Sequence, residues 1–365
     1  MQQLQPPMLQ PPRRRRRRSK MYIAMRRIAP AIAVSLSITF AVVLVAIFFG
    51  IFSTLPVLQK ESGSTAEEKP VEFSLAPPGF LLRLSLFPEG QKKRSIIGVM
   101  IENQEDARPY QSGLEKALFI MEFPVEGMIS RFLALFDRKN LPASVGPVRS
   151  LRPYFVDASQ PWLGAILHAG GSPEAFERAK VFDTLTTVNV LYFDDGTYAL
   201  RRDDVPAPHN LFLSDAVMEK LLPEETNAVS WPPYPTGGPP ASASGASLIH
   251  ISFLSSLHNV EYRSLPDGSY LRINGGVISG LQPHNVLVLQ IPVAEIGEFG
   301  RLTIPVEGKG EAILFRSGYA IPGTWQSKGF DTGLTFFDLH NQPLRFSAGS
   351  TWMTVVPDLG RVEWE

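Results

Sequence analysis

The chain has 365 residues, 44% apolar and 10% aromatic, enough for a substantial core, and its 32 prolines and 29 glycines favour strands and turns over long helices. It has no cysteine, which excludes disulfides, thiolate metal ligands, a thiol nucleophile and the usual lipid attachment of an exported bacterial lipoprotein. The formal net charge of zero hides an asymmetry: residues 1–27 carry nine cations (Arg13 to Arg18, Lys20, Arg26, Arg27) and no acid, leaving 26 basic against 35 acidic residues, a net of −9 that is unsuited to wrapping nucleic acid.

Residues 1–27 read as a cytoplasmic basic tail, and 28–52 as a transmembrane helix. No charge occurs from Ile28 to Gln59, and the 22 residues Ala31–Phe52 are almost all Ala, Val, Ile, Leu or Phe. As a helix they span about 33 Å, close to the hydrocarbon thickness of a bilayer. Cations at one end only hold the N-terminus in the cytoplasm and send the rest of the chain out. The apolar core is longer than that of a cleaved signal peptide, so an uncleaved signal-anchor in the cytoplasmic membrane is the expected arrangement.

Residues 53–94, rich in Ser, Glu, Lys and Pro, read as a stalk. Residues 95–225 alternate strand and helix signals. Short apolar runs at Ser95–Ile101, Ala117–Met121, Arg131–Phe136 and Ala165–Leu167 predict strands. Ser172-Pro173-Glu174 predicts a capped helix to Lys180, and Ser214-Asp215 another to about Leu222. Residues 226–247 form a Pro/Gly/Ser linker. Residues 248–358 look all-β, with strand-length runs at Leu248–Phe253, Val260–Ser264, Tyr270–Ile273, Asn285–Ile291, Arg301–Pro305, Ala312–Arg316 and Trp352–Val356. The expected class is α+β: an N-terminal α/β region, then a β-rich, barrel- or sandwich-like region, after one transmembrane helix.

Ile101-Glu-Asn103, Arg108-Pro109, Gln111-Ser-Gly-Leu114, Glu126-Gly127, Arg131-Phe-Leu-Ala-Leu-Phe136, Gly146-Pro-Val-Arg-Ser150, Arg152-Pro-Tyr-Phe155, His168-Ala-Gly-Gly-Ser172 and Pro208-His-Asn210 follow one another in an order that resembles the YerB-type family of bacterial lipoprotein-like proteins. Asn259-Val-Glu-Tyr-Arg263, Tyr270-Leu-Arg272, Gly308-Lys-Gly310, Gly323-Thr-Trp325 and Gly349-Ser-Thr-Trp352 extend the resemblance, which covers about residues 95–357. It implies an envelope-facing protein with two adjoining domains of unknown function, and no reaction. The family is often lipid-anchored through a Cys, for which the membrane helix substitutes here. The turn before Asn285 also lacks an acidic residue that the family leads one to expect.

Several residues could carry chemistry. Arg149 and Arg152 flank a Gly-Pro turn, and two guanidiniums on one loop can grip a phosphate or carboxylate. The competing reading pairs them internally with Glu102, Glu126 or Asp157. His168-Ala-Gly-Gly-Ser172 runs into a helix start, so the N–H groups of Gly170, Gly171 and Ser172 could hold an anion, or Ser172 could simply cap the helix. His209, beside Asn210, could act as a general base or be structural. Asn103 and Arg131 lie in the resembling motifs and complete the candidate set. A Ser172–His–Asp157 relay lacks a Gly-x-Ser-x-Gly elbow, and the scattered histidines (168, 209, 250, 258, 284, 340) form no metal-binding pair, so neither metal nor cofactor is expected. Tyr270, Tyr319, Trp325 and Trp352 could stack on sugars or fill a core.

The expected function is a membrane-anchored extracytoplasmic envelope protein that binds an anionic cell-wall or other envelope component. The alternatives are a hydrolase or transferase on envelope polymers, with His168 or His209 as base and Glu102 or Glu126 as acid, and an assembly partner docking through the β-rich region.

Overall fold

A computed structural model describes residues 92–193, 200–222, 228–239, 243–296, 300–329 and 333–365. The expected basic tail, membrane helix and nearly all of the stalk lie outside them. Among the described residues no helix is long and apolar enough to cross a membrane.

The N-terminal half supplies β1 (Lys92–Glu102), β2 (Phe119–Val125), β3 (Ile129–Asp137), β4 (Ala165–His168) and β5 (Thr186–Asn189). The strand-rich C-terminal half supplies β6 (Leu248–Ile251), β7 (Val260–Ser264), β8 (Tyr270–Asn274), β9 (Asn285–Gln290), β10 (Gly308–Arg316), β11 (Tyr319–Ser327), β12 (Thr351–Val356) and β13 (Val362–Trp364). Three seven-residue helices follow β-type caps: α1 (Pro153–Ser159), α2 (Pro173–Ala179) and α3 (Asp215–Leu221). The fold is mixed α/β with a strand-rich C-terminal region.

Both halves build one twelve-stranded sheet, in which β11-β10-β9-β12-β2-β3-β1-β4-β5 run side by side. The seam is a parallel pair: Phe119 to Glu122 of β2 match Thr351 to Thr354 of β12. β12 is also parallel to β9, from Asn285↔Thr351 to Gln290↔Val356. Strands buried on both faces read as continuous apolar runs, and β2 and β12 are buried at every position. One face carries Met100, Phe119, Leu133, Leu287 and Met353 and packs against α1 and the tryptophans Trp162 and Trp231. The other carries Ile101, Phe132, Val286 and Trp352 and is covered by a second, five-stranded sheet containing β8-β7-β6-β13, through Ile249, Val260, Tyr262 and Tyr270. All described residues fall within one compact unit.

Two expected tethers turn out to be built in. Lys92–Arg94, read as the end of the stalk, begin β1 and pair with Val229–Trp231, which was read as linker. The linker carries its own apolar anchors: Trp231 and Tyr234 are buried, Tyr234 stacks on Phe346 at 3.8 Å, and its hydroxyl meets Thr351 Oγ1 at 2.7 Å. Ser244–Gly245 then pair with β11. Proline and glycine content marks these residues as loop, but burial of two aromatic rings outweighs it.

The predicted helix starts hold. Ser172 and Ser214 accept backbone N–H bonds from Ala175 and Val217 at 3.2 Å. Pro153 keeps Arg152 extended (φ −128°, ψ 151°) and opens α1, a helix the sequence reading missed.

The motif Gly308-Lys-Gly310 with Gly323-Thr-Trp325 acquires a physical reason. Gly310 faces Trp325 across the β10–β11 pair, and the indole lies over the bare glycine to donate to Gln290 O at 2.9 Å.

Candidate functional site

The two arginines of the Gly146–Asp157 segment are internally neutralised. Arg152 makes a two-pronged bond to Glu126, Nε to Oε1 at 2.6 Å and Nη2 to Oε2 at 2.9 Å. Burial alone would raise the Glu126 carboxyl, but the bonds and charge of Arg152 prevail and hold it below the usual range. Arg149 Nε stands 2.9 Å from Glu102 Oε1, off-line for a hydrogen bond, and the buried Glu102 also takes His209 Nδ1–H on Oε2 at 2.7 Å. The main chain of Arg149 is stitched down as well, its N–H to Met100 O and its carbonyl to Ala169 N–H. Arg131 is buried and donates to Ser150 O at 2.9 Å; burial, then Arg152, push its guanidinium down to about 10. Asp157 receives Arg178 Nε at 2.5 Å, and burial still raises its carboxyl.

In the glycine turn, the N–H groups of Gly170 and Ser172 are committed as well. Gly170 N–H donates to Asn189 Oδ1, Ser172 N–H to Leu151 O, and Ser172 Oγ caps α2. His168 is buried and its Nδ1–H donates to Gly170 O at 2.8 Å; burial lowers its pKa. Asn210 Oδ1 accepts from Arg201. The structure therefore brings together Glu102 with Arg149 and His209, and Glu126 with Arg152. Ser172, His168 and Asp157 each bond elsewhere and form no relay. Arg152, Glu126, Asp157 and Ser172 share a cavity of 170 Å³, and Arg149 and His168 do not line it. Among the described residues, no group of three or more His, Asp or Glu could hold a metal ion.

A second polar cluster, at the seam of the two halves, was not read from the sequence. Glu122 of β2 is fully buried. It accepts from Arg272 Nη2 of β8 at 3.1 Å, Trp352 Nε1 of β12 at 2.7 Å and Ser130 Oγ of β3 at 2.7 Å. The Arg272 guanidinium lies 4.1 Å from the Trp352 ring centroid. Ser130 Oγ in turn accepts Asn103 Nδ2 at 2.8 Å, and Asn103 Oδ1 accepts Asn274 Nδ2 at 2.8 Å and Gln111 Nε2 at 3.3 Å. The available signal was alternation. Tyr270, Arg272 and Asn274 share one face of β8, and Glu122 interrupts the apolar run Phe119–Val125, so each places polarity on an inward face.

The cluster opens onto a cavity of 580 Å³, walled by Arg108, Asn274, Leu257, Val277, Ile278 and Leu281. Arg108 Nε donates to Asn103 O at 3.2 Å and Nη2 to His258 Nδ1 at 3.0 Å. Ser130 N–H also points at His258 Nδ1, at 3.3 Å, so that nitrogen is an acceptor and the ring is neutral. Burial, then Arg108 and Arg272, push His258 down to about 4. Burial and Arg272 likewise lower Arg108.

A group whose folded pKa lies below its unfolded value of 6.5 favours folding above pH 6.5, and that contribution is lost as pH falls through 4. Lowering the pH from 7 to 4.5 is expected to cost His258 about 2 kcal/mol of stability. In urea unfolding at the two pH values, His258→Asn should flatten the dependence by that amount. An unchanged slope would remove the buried neutral imidazole from the account.

The family model described as "Protein of unknown function (DUF3048) N-terminal domain" matches residues 85–228, and that of its C-terminal domain matches residues 259–353. The chain is 31% identical over 282 residues to "Putative lipoprotein YerB" of Bacillus subtilis (strain 168), an alignment covering 73% of this chain and 82% of the relative. The crystal structure of YerB protein from Bacillus subtilis aligns with a TM-score of 0.63 and 28% identity, over 75% of this chain and 94% of that one. Both domains are matched in order and the fold is shared, so the chain belongs to the YerB-type family, whose two domains are described as being of unknown function.

Proposed function

We propose that this is a membrane-anchored extracytoplasmic envelope protein that binds an anionic envelope component in the cavity beside Arg108. The observation that carries the reading is that cavity, whose wall holds a half-desolvated guanidinium and a buried carboxamide oxygen, Asn274 Oδ1, without a partner. Pockets of several hundred Å³ with apolar walls and a few fixed polar groups are the usual form of small-molecule sites. Arg149 and Arg152 support anion binding less well, because each already faces a carboxylate. The anchor rests on the uncharged stretch Ala31–Phe52 with cations on one side only, and on the lipoprotein name of the relative.

The test is calorimetric titration of naphthalene-2-sulfonate into the full chain in lipid nanodiscs, with empty discs as the blank. Arg108→Met should weaken binding tenfold or more, as expected for loss of a partly buried charge-assisted bond, and Arg149→Met should leave it unchanged. The reverse pattern would return the site to the Gly146–Asp157 segment.

A second reading, a hydrolase or transferase, is favoured by the Glu102–His209 pair, in which a buried carboxylate orients an imidazole. Loss of turnover on envelope polymers in His209→Ala, with binding retained, would support it.

A further inference from the structure

The chemistry of the Arg108 cavity narrows what it can hold. Asn274 is 2% exposed, its Nδ2 is committed to Asn103, and its Oδ1 is closed to solvent and unpaired. A buried acceptor left unsatisfied is costly, and an incoming N–H would relieve it once a small shift of the side chain opens Oδ1 to the cavity. Arg108 is fixed at Nε and Nη2, whereas Nη1 has no partner among the described residues. Gly275, next to Asn274, is what lets Nη1 lie so close: a Cβ there would stand 2.6 Å from it, and the glycine's φ of +57° is one that side chains disfavour. The unpaired oxygen and the unpaired guanidinium edge are thus held by adjoining groups, since Asn103 bonds both Arg108 and Asn274.

Around them the wall is greasy. Leu257, Val277 and Ile278 are 53%, 65% and 63% exposed, large apolar side chains gathered at one opening. Glu105 and Glu115 also stand in the wall, so a polyanion such as a chain of phosphates meets more repulsion than a single negative charge held on Arg108.

Resting on the reading that this cavity is the anion site, we infer that it takes the carboxy-terminal residue of a peptide, or an N-acylated amino acid of the same chemistry: carboxylate on Arg108 Nη1, amide N–H to Asn274 Oδ1, and an apolar side chain against Leu257, Val277 and Ile278. One tetrahedral carbon separates the N–H from the carboxylate in such a ligand, matching two groups tied to the same asparagine. Its single charge suits the acidic wall, and no bond is made or broken.

The probes are racemic N-acetylphenylalanine, 3-phenylpropionate (same acid and ring, no N–H) and N-acetylphenylalanine amide (same N–H and ring, no carboxylate). Each is titrated into the full chain in nanodiscs. N-acetylphenylalanine should bind at least tenfold tighter than either truncated probe. Its advantage over phenylpropionate should vanish in Asn274→Ala, and its advantage over the amide should vanish in Arg108→Met. The comparison among ligands on the unmodified protein holds even if a variant misfolds. Equal binding of N-acetylphenylalanine and phenylpropionate overturns the ligand class. If naphthalene-2-sulfonate still depends on Arg108 in that case, the anion site stands and only the peptide assignment falls. If no probe depends on Arg108, both fall.

Discussion

Glu122→Ala should destabilise the folded body by about 3–5 kcal/mol, the cost typical of breaking a buried ion pair from one side. The carboxylate is the meeting point of three strands, receiving Arg272 from β8, the Trp352 indole from β12 and Ser130 from β3. Its removal leaves the Arg272 charge buried with only ring faces and Tyr262 hydroxyl for company. Because β2 belongs to the N-terminal half and β8 and β12 to the C-terminal half, the loss should appear as one shifted urea transition for the whole body. The double variant Glu122→Leu/Arg272→Met should recover most of it, since an apolar pair of similar volume needs no desolvation of charge. Two separated transitions, or a double variant no better than the single one, would mean that the cluster does not join the halves as described.

Gly310→Val should cost about 3–5 kcal/mol, the range for emptying a large aromatic site. A Cβ at Gly310 would stand 2.5 Å from Trp325 Nε1 and 2.8 Å from Gln290 O, the two ends of one hydrogen bond. The buried indole must leave, losing both its packing and its acceptor. A thermodynamic cycle with Trp325→Ala separates this from ordinary strand propensity: with the indole already gone, the added side chain should cost far less. Additive losses in urea unfolding would show that the glycine is needed for something other than the ring.

The local elements were legible because their causes are local. Ser172-Pro173 and Ser214-Asp215 announce α2 and α3 through capping, and the apolar runs of β1 to β4 mark strands that are covered on both faces. What could not be read is pairing at a distance. Nothing local in Phe119–Glu122 says that it lies beside Thr351–Thr354, which is how two apparent domains become one sheet. In the site, Arg149 and Arg152 are open in sequence either to a ligand or to internal pairing, and the pairing prevails, with Glu102 at the end of β1 and Glu126 in the turn after β2. Arg108 and Asn274 look ordinary in sequence and meet only through Asn103, which is 171 positions from Asn274. Alternation could have flagged Arg272 and Glu122 as inward charges, but it could not have paired them.

Hydrogen–deuterium exchange of the full chain in nanodiscs, with and without N-acetylphenylalanine, tests the location of the site most directly. The account requires ligand-dependent protection in residues 105–116 and 270–281, on both sides of the cavity, and none in 146–157 or 168–174. Protection confined to the latter two segments would contradict it.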